Sequence, residues 1–563
     1  MSLVLISVDP ARPGVVTLRA AADVAAVVDD GVGPAREVSV EDLPRTVAAV
    51  EAAEHPRWVW DDTERWYPAL LAAGVRVERA HDLRLCHAIL RRSTRTVGTR
   101  LAAGPHSPWD DAAPAAAPVE EAPPSLFDDL DAPAADPGLP DPAGELRAQL
   151  VCLAEAGDDG RLRLLLAAES AGALIAAEMR HDGLPWRTEV HDALLNDLLG
   201  PRPPEGARPA RLQALADTII AALQRPGLNP DSPPELLKAL RAAGIDVTST
   251  RKWELREHDH PVIEPLLAYK KLARLLSANG WAWQDRWVSD GRFRPDYVPA
   301  GVVTGRWASS GGGALQLPAG VRAAVRADPG YLLVVADAAQ LEPRVLAAMS
   351  GDQAMAAAGQ HADLYQAVVQ AGIVEDRQQA KYAMLGAIYG ATTGASAVLM
   401  PQLARGYPRA VELVEQAARA GERGEQVTTW LGRSSPRPSA ARLAERLAAG
   451  GEGGDEATAR EARRHARDWG RFTRNFVVQG TAAEWALCWM AVLRRRLWGL
   501  PGRPHLVFFL HDELMVHTPA DQAQAVAQAV RESAVEAGRL LFGDAPVEFA
   551  LDLSIVESYD QAA

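Results

Sequence analysis

Short apolar runs alternate with longer helix-forming stretches over the first hundred residues of the chain. Runs such as Val4–Val8 and Arg57–Trp60 are rich in β-branched and aromatic residues, which favour strands. The stretches between them are rich in Ala, Val and Leu and favour helices. The alternation predicts a small α/β domain over residues 1–105.

The rest of the chain is mainly helical at first and mixed later. From residue 146 to about residue 280 the pattern is that of amphipathic helices, and strands return after Trp287. The last hundred residues combine two helices with two strands. Helices are predicted at Leu162–Met179, Pro234–Ala243, about 476–498 and about 520–541.

An acidic stretch, 106–145, separates these two parts. It holds nine prolines among alanines and acids, and its ten acidic residues are not accompanied by any Lys or Arg after Asp110. Such a composition cannot bury a core, so the stretch predicts a disordered linker. Near its middle, Leu126 and Phe127 are the one adjoining pair of large apolar residues.

Charge and cysteine content exclude several classes of protein. The chain has 563 residues and a net charge of −14, most of which the linker supplies, so a uniformly basic surface is excluded but a local basic face is not. The three cysteines, Cys86, Cys152 and Cys488, show no paired spacing, which favours a reducing compartment and argues against zinc sites and disulfides. We find no signal peptide and no long uncharged apolar run, so a cytoplasmic protein without a membrane span is expected.

A first chemical motif follows an apolar run. Tyr331–Ala336 predicts a strand that ends directly at Asp337, and Gln340, Glu342 and Arg344 then open a helix. A carboxylate at the end of a buried strand is poorly solvated unless a positive charge meets it.

A second motif predicts a β-hairpin with acids at its turn. The apolar run Leu506–Leu510 leads into His511, Asp512 and Glu513, and a second apolar run follows. If Asp512 and Asp337 lie side by side, they form an all-oxygen site of the kind that Mg²⁺ prefers. Two such ions are a known arrangement for activating a hydroxyl and stabilising a leaving pyrophosphate. Taken alone, either aspartate is more typical of a residue that caps a turn or a helix.

A third motif places two cations and a tyrosine on one helix face. Arg377, Lys381, Leu385 and Tyr389 are spaced by four and therefore form one stripe. That order suits a triphosphate held by the two cations, with a sugar and a base packed further along. A solvated helix face would explain the cations but not their alignment with Leu385 and Tyr389.

In this order the three segments resemble motifs A, C and B of the family A DNA polymerases, the bacterial polymerase I type. The resemblance covers about residues 180–563 and includes further segments in the family's order. These segments are Thr304-Gly305-Arg306, Leu315-Gln316, Thr429–Arg433 and Arg471–Ala482. The resemblance implies an α+β multidomain fold, a right hand of palm, fingers and thumb within residues 146–563. The implied thumb is about 190–290, the palm about 295–350 and 480–563, and the fingers about 355–475.

The resemblance also implies roles for individual residues. Asp337 and Asp512 would hold two Mg²⁺ ions, with Glu513 as an auxiliary carboxylate. Lys381 would donate a proton to the leaving pyrophosphate and, with Arg377, grip the triphosphate.

Further residues are implied to contact the nucleotide and the DNA. Glu342 would exclude a ribose 2′-hydroxyl, Gln340 and Leu385 would lie near the nucleotide, and Tyr389 near the incoming sugar and templating base. The implied DNA contacts are Arg306, Arg344, Arg471, Asn475, Gln479 and His511.

The chain departs from the family pattern at several of these positions. Ala338 and Ala339 replace a usual Tyr-Ser pair, and Tyr365 stands where the family has a histidine in the fingers. Leu385 replaces an aromatic residue, as in phage-type RNA polymerases, whereas Glu342 favours deoxynucleotides because those enzymes have a small residue there.

The first domain resembles, more weakly, part of the RNase H-like proofreading domain of polymerase I. Trp66–Gly74 and His81–Leu90 carry the resemblance. Asp9 is the sole acid of the expected Asp-x-Glu motif, and Trp66 stands where the second motif has its acid. We therefore expect a degenerate 3′–5′ exonuclease-like domain over residues 1–105, and no 5′-nuclease domain.

These observations predict a DNA-directed DNA polymerase that acts on primer–template DNA and dNTPs, in repair or gap filling. Two alternatives are open: a decayed polymerase that serves as a DNA-binding scaffold, and a nucleotidyltransferase that accepts rNTPs. The protein is expected to be monomeric and associated with the nucleoid. Leu126-Phe127 resembles sliding-clamp ligands, although a linker that merely happens to contain the pair is the more common explanation.

Overall fold

The computed structural model describes residues 2–8, 12, 14–29, 31–112, 139–204, 206–313, 317–390, 394–438 and 456–562. The chain divides into two units, each made of three segments. Unit 1 consists of Met1–Asp182, Asp296–Gly311 and Val334–Ile555. Unit 2 consists of Gly183–Pro295, Gly312–Leu333 and Val556–Ala563.

Unit 1 begins with a five-stranded sheet in the order β3-β2-β1-β4-β5. The strands are β1 (Leu3–Val8), β2 (Val15–Ala21), β3 (Arg36–Ser39), β4 (Arg57–Trp60) and β5 (Arg79–Asp82). The first three are antiparallel neighbours, and β4 is parallel to both β1 and β5. This mixed sheet with its helices confirms the predicted α/β fold of the N-terminal region.

Eight helices follow or separate these strands. They are α1 (Val24–Val28), α2 (Leu43–Glu54), α3 (Thr63–Ala72), α4 (Leu83–Arg92), α5 (Arg100–Ala103), α6 (Pro108–Asp111), α7 (Pro142–Glu155) and α8 (Arg161–Asp182). The sheet core contains Trp58, Trp60 and Tyr67, and α8 adds Leu174 and Ala177 to it. The N-terminal region therefore shares its core with a helix that was predicted to belong to the polymerase part.

Both ends of the predicted linker, 106–145, belong to the folded part of the chain. Trp109 in α6 is 5% exposed and packs in one cluster with Leu146 of α7. Asp110 accepts a hydrogen bond from Arg91 (2.7 Å), and Glu145 lies 2.9 Å from a ring nitrogen of His87. Charged residues at both ends of the stretch thus have partners in the fold, which composition alone cannot reveal. Leu126 and Phe127 lie outside the described residues.

Unit 2 is mainly helical. Its elements are β6 (Leu184–Pro185), α9 (Thr188–Leu199), α10 (Ala210–Ala222), α11 (Pro233–Ala242), α12 (Lys252–Leu255), α13 (Ile263–Asn279), α14 (Trp281–Trp287), β7 (Val288–Ser289) and β8 (Arg292–Phe293). The region predicted as the thumb, 190–290, lies within this unit. The unit also takes 312–333 and 556–563, which the prediction had placed in the palm.

The remaining elements of unit 1 surround a four-stranded sheet in the order β12-β13-β11-β14. The strands from this part of the chain are β9 (Asp296–Val298), β10 (Ala308–Gly311), β11 (Tyr331–Ala338), β12 (His505–Leu510), β13 (Glu513–Pro519) and β14 (Leu551–Val556). The helices are α15 (Leu341–Ser350), α16 (Gln353–Ala358), α17 (Leu364–Gln370), α18 (Arg377–Tyr389), α19 (Gly394–Gly406), α20 (Pro408–Glu422), α21 (Glu456–Trp498) and α22 (Ala523–Phe542).

The helix predicted at about 476–498 begins at Glu456 and has 43 residues. By length and composition alone, its part Arg460–Trp498 contains a window apolar enough to cross a membrane, but 83% of that window is buried inside the structure. Because it is so long, this one helix carries residues predicted for both the fingers and the palm.

A buried arginine of α21 joins the N-terminal region to the rest of unit 1. Arg494 is 6% exposed and donates to both carboxylate oxygens of Glu178 (2.9 and 2.8 Å). It also donates to the carbonyl oxygens of Val77 (2.6 Å) and Glu78 (2.8 Å). Tyr67 donates to the same Glu178 carboxylate at 2.5 Å. These contacts explain why the residues of the predicted first domain form part of unit 1.

Candidate functional site

Asp337 and Asp512 lie on neighbouring strands of the four-stranded sheet. Asp337 is near the end of β11, and Asp512 precedes β13 in the two-residue turn between β12 and β13. The backbone N–H of Ala338 donates to the carbonyl oxygen of Asp512 at 3.0 Å. His511, the other turn residue, adopts a left-handed conformation with a φ of 60°. The predicted hairpin is confirmed, and it brings the two aspartates together.

The environment of both carboxyl groups disfavours their charged forms. Burial raises the pKa of Asp512 to about 7, and the charge of Asp337 adds to this rise although Arg306 opposes it. Burial and the charge of Asp552 raise the pKa of Asp337. Across the described ranges, no Lys or Arg forms an ion pair with either aspartate. Two partly buried carboxylates without a cation partner are a donor set that fits a divalent metal ion.

Asp552 was missed by the sequence analysis. It lies on β14, the strand next to β11, and it is exposed. The alternation of Leu551, Leu553 and Ile555 was a signal for this strand, but only two strands were predicted in the last hundred residues. A third carboxylate therefore faces the same region as the two predicted ones.

We expect the affinity for a divalent cation to rise with pH up to about 7. A carboxyl group whose pKa is about 7 is protonated below that pH, and a metal ion must displace the proton. Each pH unit below 7 should therefore weaken binding about ten-fold for one displaced proton, and affinity should level off above pH 7. Titration of the protein with Mn²⁺ at several pH values, followed by electron paramagnetic resonance, measures this. An affinity that does not change between pH 5 and pH 8, a range that spans the expected transition, would contradict the assignment.

The predicted cation stripe is present on α18. Its N-terminus is capped by the carboxylate of Asp376. Arg377, Lys381 and Tyr389 are exposed and Leu385 is partly buried, whereas the opposite face packs in the core. Within the part of the chain that is described, Lys381 has no ion pair or hydrogen bond to its side chain.

Arg377 already has a carboxylate partner. Its Nε donates to Asp363 at 2.6 Å, and its guanidinium group lies 5.6 Å from the ring centroid of Tyr365. Asp363 also caps α17. Burial raises the pKa of Tyr365 to about 12, so its hydroxyl stays protonated at neutral pH. No pattern in the sequence predicts the ion pair with Asp363.

Three predicted residues meet at the carboxylate of Glu342. It accepts hydrogen bonds from Arg306 (2.5 Å) and from the hydroxyl of Tyr389 (2.6 Å). Burial and this hydrogen bond raise the pKa of Tyr389. Gln340 has a φ of 52°, and its side-chain oxygen accepts from the N–H of Leu364 at 3.1 Å. The N-terminus of α15 is therefore fixed against the helices that follow it.

The prediction that Arg344 contacts DNA is wrong. Its side chain is fully buried and donates to backbone carbonyl groups from three parts of unit 1. The acceptors are Ala339 and Gly359 (both 2.8 Å), Glu548 (2.7 Å), His361 (2.8 Å) and Ala362 (2.6 Å). A buried guanidinium group needs hydrogen-bond acceptors, and here they come from segments that a sequence motif does not reveal.

The remaining predicted DNA contacts lie on α21 and at the hairpin turn. Arg471 is exposed and pairs with Asp468, while Asn475 and Gln479 are partly buried. His511 is exposed, and burial of its ring together with Arg306 lowers its pKa. At the end of this segment, a Cβ on Gly480 would lie 3.1 Å from the carbonyl oxygen of Thr304 and 2.5 Å from Cγ2 of Thr429. The absence of a side chain lets α21 pack against both motifs, whereas Leu315 and Gln316 lie outside the described residues.

Two aspartates of the N-terminal region accept hydrogen bonds from neighbouring residues of that region. Asp61 accepts hydrogen bonds from the indole of Trp66 (2.6 Å) and from Arg65 (2.9 Å). Asp82 is fully buried and accepts from the N–H and hydroxyl of Thr63 at 2.8 and 2.7 Å. Asp9 lies outside the described residues.

Comparison with known proteins identifies the class to which this fold and site belong. Residues 209–561 match the model of DNA polymerase family A. The chain therefore belongs to this family, whose members generally use divalent metal ions.

Individual relatives agree with this assignment. DNA polymerase I of Chloroflexus aurantiacus is 28% identical over 376 residues, which are 62% of this chain and 37% of the relative. The thermostable DNA polymerase I of Thermus aquaticus is 26% identical over 312 residues, 51% of this chain and 35% of the relative. The matched part thus spans little more than a third of these relatives. The POL domain of Pol1 from M. smegmatis, solved with DNA primer–template and dNTP, has a TM-score of 0.65 at 18% identity and covers 100% of this chain and 95% of that one. This likeness confirms the predicted fold class.

Proposed function

We propose that the chain is a DNA-directed DNA polymerase that adds dNTPs to a primer 3′-hydroxyl in repair or gap filling. The observation that carries the proposal is the convergence of the predicted motifs on one carboxylate site. Asp512 lies next to Asp337, and its pKa also responds to Arg306 and Glu342. Asp552 influences the pKa values of both Asp337 and Arg377. These electrostatic interactions support one site that would contain both the nucleotide-binding stripe and the metal-binding pair.

Each side chain of the site would have its own role in phosphoryl transfer. This reaction depends mainly on positioning and charge neutralisation. Asp337 and Asp512 would hold two Mg²⁺ ions, which when bound supply the positive charge that stabilises attacking and leaving oxygens. Lys381 is exposed and has no competing partner in the described ranges, and it would give a proton to the pyrophosphate. Arg377 would bind phosphate oxygens in exchange for its contact with Asp363.

The experiment that tests the proposal is primer extension on a gapped template with Mg²⁺. Extension with dNTPs and not with rNTPs is expected. A protein that binds the template but extends with neither would support the scaffold alternative, and equal use of both would support an rNTP-accepting enzyme. The dNTP and primer–template named for the M. smegmatis structure support the choice of substrates.

We also propose that the N-terminal region has no 3′–5′ exonuclease activity. The hydrogen bonds that occupy Asp61 and Asp82 support this, because metal-dependent proofreading needs carboxylates that are free to bind ions. A primer with a mismatched 3′ end, incubated with Mg²⁺ and without nucleotides, should remain uncut.

Replacing Glu342 by Ala is expected to admit ribonucleotides. The change removes the side chain that would occupy the space of the 2′-hydroxyl and releases Arg306 and Tyr389. Preference for dNTP over rNTP should fall at least about ten-fold, the scale of a lost steric or hydrogen-bonding contact. Single-nucleotide incorporation with each substrate measures the ratio.

Glu342→Gln is the matched control for this prediction. It keeps the length of the side chain and removes its charge, so discrimination should stay within a few-fold of the wild-type value. If the Ala and Gln variants lose discrimination equally, charge and not bulk excludes the ribose hydroxyl.

A further inference from the structure

The loop 428–434 is held by two residues of the N-terminal region. Ser93 is 3% exposed, and its hydroxyl donates to the carbonyl oxygen of Gly432 at 2.6 Å. The backbone N–H of Thr94 donates to the hydroxyl of Ser434 at 2.9 Å. The partners in these two contacts are 339 and 340 positions apart in the chain. The N-terminal region therefore supports a distant loop of unit 1.

Arg433 lies between these two contacts and reaches another segment of unit 1. Its guanidinium group forms an ion pair with Glu169, whose side chain is fully buried. The same group lies against Gly305, where a Cβ would be 2.5 Å from Nε of Arg433. Gly305 has a φ of 89°, which a residue without a side chain adopts at little cost. The arginine thus packs against the backbone directly before Arg306.

Arg306 links this backbone to the candidate site. Its side chain donates to one oxygen of Glu342 at 2.5 Å, and the hydroxyl of Tyr389 donates to the other at 2.6 Å. The backbone around it forms a tight turn, because the N–H of Gly305 donates to Val302 at 2.8 Å and the N–H of Val302 donates to Arg306 at 3.1 Å. A shift of Gly305 would therefore move Arg306 relative to the carboxylate that it holds.

Helix α21 holds a different part of the loop. The N–H of Leu431 donates to the buried carboxylate of Glu484 at 2.9 Å, and the N–H of Trp430 donates to the hydroxyl of Thr481 at 3.0 Å. The contacts with α21 thus precede Arg433, whereas those with the N-terminal region are made by the residues on either side of it. Both sets of contacts are needed to fix where Arg433 lies.

We propose that Ser93 and Thr94 are positioning residues for Glu342, the side chain proposed to exclude the ribose 2′-hydroxyl. They act through the loop 428–434 and its contact with the backbone before Arg306. This role rests on the proposed polymerase function. It gives the N-terminal region a part in nucleotide selection although no exonuclease activity is proposed for it.

The test compares two variants of the full chain, Ser93→Ala/Thr94→Val and Thr63→Val. The double variant removes the hydroxyl that donates to the loop and the one that lies 2.7 Å from the hydroxyl of Thr428. Thr63→Val removes a buried hydroxyl that donates to Asp82 within the N-terminal region. It therefore weakens this region without changing a residue that contacts the loop.

Single-nucleotide incorporation measures the preference for dNTP over rNTP in each variant. This ratio does not depend on the fraction of folded protein, since both substrates meet the same active molecules. It should fall about three- to five-fold in the double variant, the scale of one lost hydrogen bond, and keep its wild-type value in Thr63→Val. Adding the double substitution to Glu342→Ala should lower the ratio no further, because the side chain through which it acts is already absent.

Hydrogen exchange of the protein without DNA tests the same link in the absence of polymerisation. Amide exchange within 302–306 should be about five-fold faster in the double variant and unchanged in Thr63→Val. An unchanged ratio, unchanged exchange in this segment, equal effects in Thr63→Val or a further fall in the Glu342→Ala background would each overturn the proposal. If the polymerase proposal itself fails, the wild type does not extend primers, and hydrogen exchange still decides whether the N-terminal region positions this segment.

Discussion

Replacing Asp512 by Asn is expected to abolish primer extension while leaving primer–template binding intact. Asn has the size of Asp but no charge, so the pair with Asp337 loses the second carboxylate needed to hold divalent ions. The rate of extension should fall about a thousand-fold or more, the scale of losing a group that stabilises developing charge. Single-turnover extension measures the rate, and anisotropy measures DNA binding in the same preparation.

The fold should tolerate this change. The contact of Asp512 with β11 is made by its backbone carbonyl oxygen, which Asn retains. Burial raises the pKa of the carboxyl group from its ordinary value of 3.8 to about 7, so this group lowers the stability of the fold as the pH rises from 3.8 to about 7, and the loss is complete above that pH. Asp512→Asn should therefore raise the melting temperature of the metal-free protein at pH 8.

Asp521→Asn is the matched control, because Asp521 is exposed beyond the far end of the same strand, β13. It should extend primers at the wild-type rate. Undiminished extension by Asp512→Asn would show that the metal assignment is wrong. Loss of DNA binding together with extension would indicate that Asp512 supports the fold and not the chemistry.

Local patterns predicted the elements that carry the candidate site. Neighbouring residues alone predict the strand that ends near Asp337 and the hairpin turn at Asp512. The spacing by four of Arg377, Lys381 and Tyr389 fixes their shared face because a helix has a constant period. That the two aspartates meet was an inference from the family resemblance, since about 175 residues separate them in the sequence.

Contacts between distant segments could not be predicted in this way. Arg344 belongs to a motif, but its buried guanidinium group donates to carbonyl groups of other segments, such as those of Gly359 and Glu548. The ion pair of Arg377 with Asp363 depends on where α17 begins. Arg494 connects the N-terminal region to α21 through its hydrogen bonds to Glu178, Val77 and Glu78. In the sequence it is one of three successive arginines. Only the fold shows which of the three is buried.

Replacing Arg494 by Met is expected to lower the free energy of unfolding of the protein by about 3–5 kcal/mol, the usual cost of removing one partner from a buried ion pair. Glu178 would keep its charge in a buried site, and the carbonyl oxygens of Val77 and Glu78 would lose their donor. Chemical denaturation, with thermal melting as a second measure, tests the size of the effect.

Substitution of the neighbouring exposed arginine, Arg495, provides a control, and the pH dependence of the stability difference identifies the ion pair as its cause. Arg495→Met removes the same charge one residue later, where the side chain is 64% exposed, and should cost less than about 0.5 kcal/mol. Burial alone would raise the pKa of Glu178, but Arg494, together with Arg76 and Tyr67, outweighs burial and holds the pKa below its ordinary value of 4.5. The stabilisation is therefore fully present above pH 4.5 and is lost as the pH falls below it, so wild type and Arg494→Met should converge in acid. Adding Glu178→Gln to Arg494→Met should recover part of the loss at neutral pH, because it removes a buried charge that keeps only the longer ion pair with Arg76 (3.6 Å). Equal effects of the two arginine substitutions would show that the N-terminal region does not depend on this contact.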